Sequence, residues 1–168
     1  ALHLGFIPHD ACAGGNEAHA ALYREVIDVA RDLCDHCRRN GQNLHLETGQ
    51  ETADGLLQFI SDVRRDNLFI NFDPANMILY GTGRPLDALA ALLPHVVQVH
   101  IKDASPPPKP GVWGTETAAG MGSVPWAEFL DLLAGAPAVG AIVIEREGGE
   151  ERVADVRTAR ALLASLLD

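Results

Sequence analysis

LFINFD, residues 68–73, is an apolar run broken only by Asn71 and closed by a single carboxylate. Three other stretches have the same form: NLHLE at 43–47, VVQVH at 96–100 and AIVIE at 141–145. A short run rich in β-branched residues is how a strand buried on both faces of a parallel sheet reads, and an ionisable residue at its end marks where that strand opens onto a site. Glu47, Asp73, His100 and Glu145 therefore stand as four residues of metal-ligand type at the tips of four successive strands.

Helical patterns fill the spaces between these runs. Residues 19–40 carry apolar positions at helical spacing, end on basic residues and are followed by Gly41, a stop signal. TADGLLQFISDVRR opens on Thr52 as an N-cap, PLDALAALLP begins on a proline and ends before another, and WAEFLDLLAG and ERVADVRTARALLASLL complete the set. Strand and helix alternate, and no glycine-rich dinucleotide fingerprint follows a strand. The expected fold is α/β of the (β/α) TIM-barrel type, because ligands at consecutive strand tips favour a barrel over an open sheet. With LHLGFI near the start, five parallel strands are legible in 168 residues. A closed barrel needs eight strands and about 250 residues. The expectation is thus a single domain over residues 1–168 with a partial barrel, the C-terminal portion of a larger one. Its open edges would be covered by a missing N-terminal segment or by another copy in a homo-oligomer.

Side chains two apart on a strand share a face. If the four tip residues point to a common centre, so do His45, Asn71, Gln98 and Val143, while Leu46, Phe72, Val99 and Ile144 face the helices. Polar groups inside a barrel are costly unless hydrogen-bonded, so His45, Asn71 and Gln98 read as supports for a site above them. The competing reading is that each acid only caps the turn after it, as Asp commonly does.

The formal net charge is −10, with no lysine or arginine cluster, which argues against nucleic-acid backbones and anionic membranes as partners. No apolar stretch approaches membrane-spanning length and no signal-peptide pattern opens the chain, so the cytoplasm is the default expectation. The three cysteines suit a reducing compartment. Cys34 and Cys37 fall inside an expected helix and Cys12 is isolated, so no cysteine metal or redox role is expected.

The segments LETGQE, NFDPANMILYGTG, VHIKD, GMGSV and IERE, in this order and spacing, resemble the xylose isomerase-like TIM-barrel superfamily, in its sugar phosphate isomerase/epimerase branch. The resemblance runs along nearly the whole chain and corresponds to the family's strands four to eight. It implies that Glu47, Asp73, His100 and Glu145 bind one divalent cation. An oxygen-rich set with a single imidazole suits Mn²⁺ or Mg²⁺, with Co²⁺ or Zn²⁺ as alternatives. It also implies that Glu47 and Glu145 are the acid/base pair of an isomerase or epimerase acting on a small carbohydrate through an enediolate. A C–H beside a carbonyl yields its proton to a carboxylate only if the developing oxyanion is neutralised in place. Two alternatives stay open: a keto-sugar or inosose-type dehydratase on the same scaffold, and a non-catalytic partial-barrel fragment that needs a partner.

Other positions are candidate substrate contacts. Asn76 lies where many relatives place a histidine, a departure that argues against the histidine-rich three-zinc chemistry of the superfamily's DNA-repair endonucleases. Lys102 and Asp103 follow His100 closely and are candidates to hold hydroxyls or orient the imidazole. Arg146 has the fork to clamp a phosphate or carboxylate. His3 projects from the first expected strand. SPPPKPGVWGTETAAGMGSVP, residues 105–125, is the longest non-periodic segment and a candidate lid, with Trp113 as an apolar wall. Gly120 and Gly122 precede a helix whose N-terminus could attract an anion.

Overall fold

The computed structural model describes residues 17–109, 111–136 and 138–167. The expected first strand, with His3, and Cys12 lie outside these residues.

Four parallel strands, β1 (Leu44–Glu47), β2 (Leu68–Phe72), β3 (Val96–Ile101) and β6 (Ala141–Ile144), form one sheet in the order β1-β2-β3-β6. These are the four ligand-bearing runs. Before, between and after them lie α1 (Glu17–Arg39), α2 (Ala53–Val63), α3 (Pro74–Tyr80), α4 (Pro85–Leu92), α5 (Trp126–Ala134) and α6 (Arg152–Leu167). This is the parallel α/β arrangement of barrel type that the sequence led one to expect, four strands backed by helices. The helix boundaries follow local chemistry. The Thr52 hydroxyl accepts the Gly55 N–H at the start of α2, and Gly41, at φ +66°, follows α1 in a conformation that glycine adopts without strain.

Leu46, Ile70, Phe72, Val99 and Ile101 are fully or almost fully buried against the helices, where Phe72 meets Phe129 with ring centroids 6.0 Å apart. Burial of one such side chain contributes about 2 kcal/mol. This apolar layer fixes which face of each strand is left for the site.

Register does the rest. Glu47 pairs with Asn71 and His100 with Val143, so the ligand on each of those neighbours, Asp73 or Glu145, lies two residues further along. The ligands climb across the sheet as the strand stagger of a barrel requires. Between Ile70 and Asn71 the pairing slips: Ile70 faces Val96 but Asn71 faces Gln98. That one extra residue in β3 decides the site, because without it His100 would point to the opposite face from Asp73.

Two elements were not expected. DPANMILY forms α3, and the supposed irregular segment opens with a hairpin of β4 (Asp103–Ser105) and β5 (Thr115–Thr117). The hairpin is drawn onto α3 by the Gly114 N–H, which donates to the Leu79 carbonyl at 2.8 Å. A side chain at Gly114 would strike the Ser105 carbonyl at 2.3 Å, so this close approach requires glycine.

Candidate metal centre

The carboxyl ends of β1, β2, β3 and β6 bring Glu47, Asp73, His100 and Glu145 together, with one donor atom from each lying within 4.8 Å of all the others. Opposed oxygens stand about 4.2 Å apart around Mg²⁺ and about 5 Å around Ca²⁺, so the cluster has the span of a divalent cation's shell.

Asp73 answers the question of cap or ligand by doing both. Its Oδ1 accepts the N–H groups of Ala75 and Asn76 and starts α3, while its Oδ2 is buried, points into the cluster and has no hydrogen-bond partner. His100 Nδ1 is likewise buried without a hydrogen bond of good geometry; it faces Glu47, Asp73 and Glu145 carboxylate oxygens at 3.5, 3.5 and 3.3 Å. Unpartnered buried polar atoms are rare, and two aimed at one point among three carboxylates fit a cation.

The electrostatics agree. Burial raises the Asp73 carboxyl above the ordinary carboxylate range, against the pull of His100 and Lys102. Burial alone would lower the His100 pKa, but Asp73, Glu145 and Glu47 around the ring raise it to about 11. Glu145 is held down at about 2, first by His100 and then by Lys102, against its own partial burial. In the metal-free protein a proton on His100 and the Lys102 ammonium thus supply the positive charge that the acids demand.

Supporting contacts surround the donors. Asn76 Nδ2 donates to Glu47 Oε1 at 3.2 Å and to the Thr48 carbonyl at 3.0 Å. The Thr48 hydroxyl donates to the Asp73 carbonyl at 2.9 Å and accepts the Asp73 N–H at 2.7 Å, joining the tips of β1 and β2. One layer down, Asn71 lies 3.0 Å from His100 Nε2, and Gln98 favours a proton on His45 against the larger effect of its burial.

The remaining candidates are placed as follows. Lys102 is buried, with Nζ 2.9 Å from Glu145 and 3.7 Å from Asp73, and also bonded to Glu147. The Asp103 carboxylate turns away from the cluster; it collects the N–H groups of Ala104, Gly120, Gly122 and Val124 and the Trp126 indole N–H. The anion expected near Gly120 and Gly122 is therefore the protein's own. Arg146 is engaged on both sides, by Glu116 through Nη1 and by Asp155 through Nε, each at 2.8 Å. Glu116 also accepts the Glu147 and Gly148 N–H groups, so β5 ties down the chain just after Glu145. Trp113 is 68% exposed and meets Tyr80 edge-on at 5.2 Å. Thr48, Glu116 and Glu147 were not singled out from the sequence, where a threonine after a strand or an acid in a polar loop carries no distinguishing signal.

With this geometry in view, the relatives are informative. A family model described as xylose isomerase-like TIM barrel matches residues 1–166, and the chain belongs to that family. It is 43% identical to a xylose isomerase domain protein from Planctomyces limnophilus, with TM-score 0.85 over 98% of this chain and 56% of that one. A xylose isomerase-like TIM barrel protein from Mycobacterium smegmatis, solved in complex with magnesium, is 26% identical with TM-score 0.72 over 87% of this chain and 51% of that one. An uncharacterized Escherichia coli protein, YihM, is 35% identical over 113 residues, 64% of this chain and 34% of that protein. The chain thus spans about half the length of these structural relatives. The same fold, at 18–20% identity, occurs in L-ribulose 3-epimerase, in a 3-keto-D-glucoside 4-epimerase from E. coli and in a probable 3-DHS dehydratase from Bacillus anthracis.

Proposed function

We propose that this chain carries the metal-binding and proton-transfer machinery of a divalent-metal-dependent isomerase or epimerase acting on a sugar or sugar phosphate. The observation that carries the reading is the convergence of four donors with Asp73 Oδ2 and His100 Nδ1 left unpartnered and buried. A cation bound there, Mn²⁺ or Mg²⁺ by the hardness of the donors, would neutralise negative charge developing on a substrate oxygen.

The chain's own residues divide the remaining work by exposure. The Asp73 side chain is fully sealed and His100 nearly so, whereas Glu47 and Glu145 are 16% and 27% exposed and so reach the open side of the cluster where substrate would lie. That supports Glu47 and Glu145 as the groups that move the proton. One takes the proton from the C–H beside the carbonyl, and the electron pair of that bond shifts towards the carbonyl oxygen. Return of a proton to the opposite face of that carbon inverts it; return to the neighbouring carbon moves the carbonyl. His100 and Lys102 keep Glu145 ionised, the state a proton acceptor needs. The Tyr80–Trp113 pair offers an apolar wall of the kind that sugar rings pack against.

The complete enzyme is proposed to include strands that cover the edges of β1 and β6 left unpaired among the described residues, from another segment of barrel or a second copy. The test is incubation with Mn²⁺ and a panel of ketoses and ketose phosphates in deuterium oxide, followed by NMR, with Glu145→Gln as control. Deuterium entering a carbon next to the carbonyl, and lost in the control, supports the reading. Loss of water from the product would move the assignment to a dehydratase. One bound equivalent of metal with no exchange on any ketose would sink the isomerase reading.

A further inference from the structure

We propose that Asn71 is a positioning residue for His100: its side-chain carbonyl accepts a hydrogen bond from Nε2–H and so leaves Nδ1 as the nitrogen that faces the three carboxylates. The inference rests on the metal-site reading for its purpose, though not for its test.

The argument begins with the layer beneath the site. Asn71 is completely buried, two residues before Asp73 on β2, and its amide end lies 3.0 Å from His100 Nε2. The other end, Oδ1, has no partner. On the far side of the ring Nδ1 faces the carboxylates of Glu47, Asp73 and Glu145. A neutral imidazole carries one proton, and a nitrogen that ligates a cation must be bare. With Nδ1 as ligand, Nε2 carries the hydrogen and needs an acceptor. The amide NH₂ cannot serve, because two donors would then face each other. The two ends of an asparagine side chain have almost the same shape, so presenting the carbonyl to the ring costs no space and satisfies Nε2–H.

The opposite arrangement has a distinct consequence. If Asn71 donated to a bare Nε2, the ring's one proton would sit on Nδ1 among the acids, and a cation could take Nδ1 only by leaving an imidazolate. The orientation of one buried amide therefore decides whether Nδ1 is ready for a metal. Partners of this kind set the tautomer of ligating histidines, and their loss typically weakens metal binding by about 10- to 100-fold.

The experiment is ¹⁵N NMR of the His100 ring in protein labelled at histidine, metal-free and after Zn²⁺ or Mg²⁺ addition, for the wild type, Asn71→Leu and Asn71→Asp. The expected wild-type result is a protonated, slowly exchanging Nε2 in both states. Asn71→Asp, which keeps an acceptor, should preserve that signal and bind Mn²⁺ at least as tightly as the wild type. Asn71→Leu should lose the slow exchange and bind Mn²⁺ about 10- to 100-fold more weakly. A bare Nε2 in the metal-free wild type overturns the proposal, as does an Asn71→Leu variant with unchanged exchange and affinity. Should Asn71→Leu fail to fold, the wild-type tautomer and Asn71→Asp still decide. Failure of the metal reading has a different signature: the Nε2–H signal is intact, but no metal is taken up.

Discussion

Asp73 and His100, at the tips of the two central strands, are sealed from solvent, while Glu145 crowns an edge strand whose Ile142 and Val143 are 44% and 40% exposed. The central pair is held from below and behind by strand neighbours, a helix cap and the Thr48 hydroxyl. Glu145 is held sideways, by Lys102 and by the Glu116 latch on the residues just after it. The central side of the site is thus set by backbone and packing, and the Glu145 side by ion pairs, which salt screens where they reach solvent. The central half should govern whether metal binds, and the edge half how tightly and in what salt.

The strongest attempt to break this contrast is Asp73→Ala. It removes a donor and the cap of α3 together, so metal uptake should vanish and stability should drop by about 1 kcal/mol from the lost cap, read by metal titration and urea unfolding. Retained uptake would show that the edge half suffices.

Lys102→Met comes next. Removing a buried ammonium that faces Glu145 and Asp73 should destabilise the metal-free protein by about 3 kcal/mol. Added Mn²⁺, which supplies positive charge at the same place, should restore much of the loss, visible as a larger metal-induced rise in Tm than the wild type shows.

A pH series sharpens the role of His100. Its pKa of about 11 lies above its ordinary value, so the stability it confers is complete below about pH 6.5 and is lost as pH rises towards 11. Glu145, held at about 2, contributes fully above its ordinary range and loses its contribution as pH falls towards 2. Metal must displace the His100 proton, so apparent Mn²⁺ affinity should rise by about tenfold per pH unit between about pH 7 and 9. A flat profile would mean that Nδ1 is not a ligand.

The smallest effect is expected from Glu116→Gln. Mn²⁺ binding should weaken roughly threefold at low salt, within the range of partly exposed ion pairs, and the difference from wild type should shrink at high salt. An effect as large as that of Asp73→Ala would erase the distinction between the two halves.

Four strands and their tip residues could be read from the chain because a strand buried on both faces leaves an apolar run that stops where the site begins. The helices of α1, α2, α4, α5 and α6 were legible through period, proline and cap. The helix α3 was not, since Asp-Pro followed by Ala-Asn reads as a turn and the helix is only 7 residues long. The β4–β5 hairpin was hidden in a proline- and glycine-rich loop, its strands only 3 residues each. The role of Asp103 could not be read locally either. Its carboxylate is satisfied by N–H groups from residues 120–126, and nothing in the sequence announces which loop will fold back. The bulge that sets His100 on the right face leaves no mark in VVQVH at all.

The Thr48 bridge has one further consequence. With both the carbonyl and the N–H of Asp73 bonded to one hydroxyl, the gap between the β1 and β2 tips is set when the chain folds, before any ion arrives. The site behaves as a gauge of fixed aperture. The Glu47 and Asp73 donors, within 4.8 Å of each other, then stand at a separation that a divalent cation can span without moving either strand. Preorganisation of the donors is thereby assigned to a side chain that is not one of them.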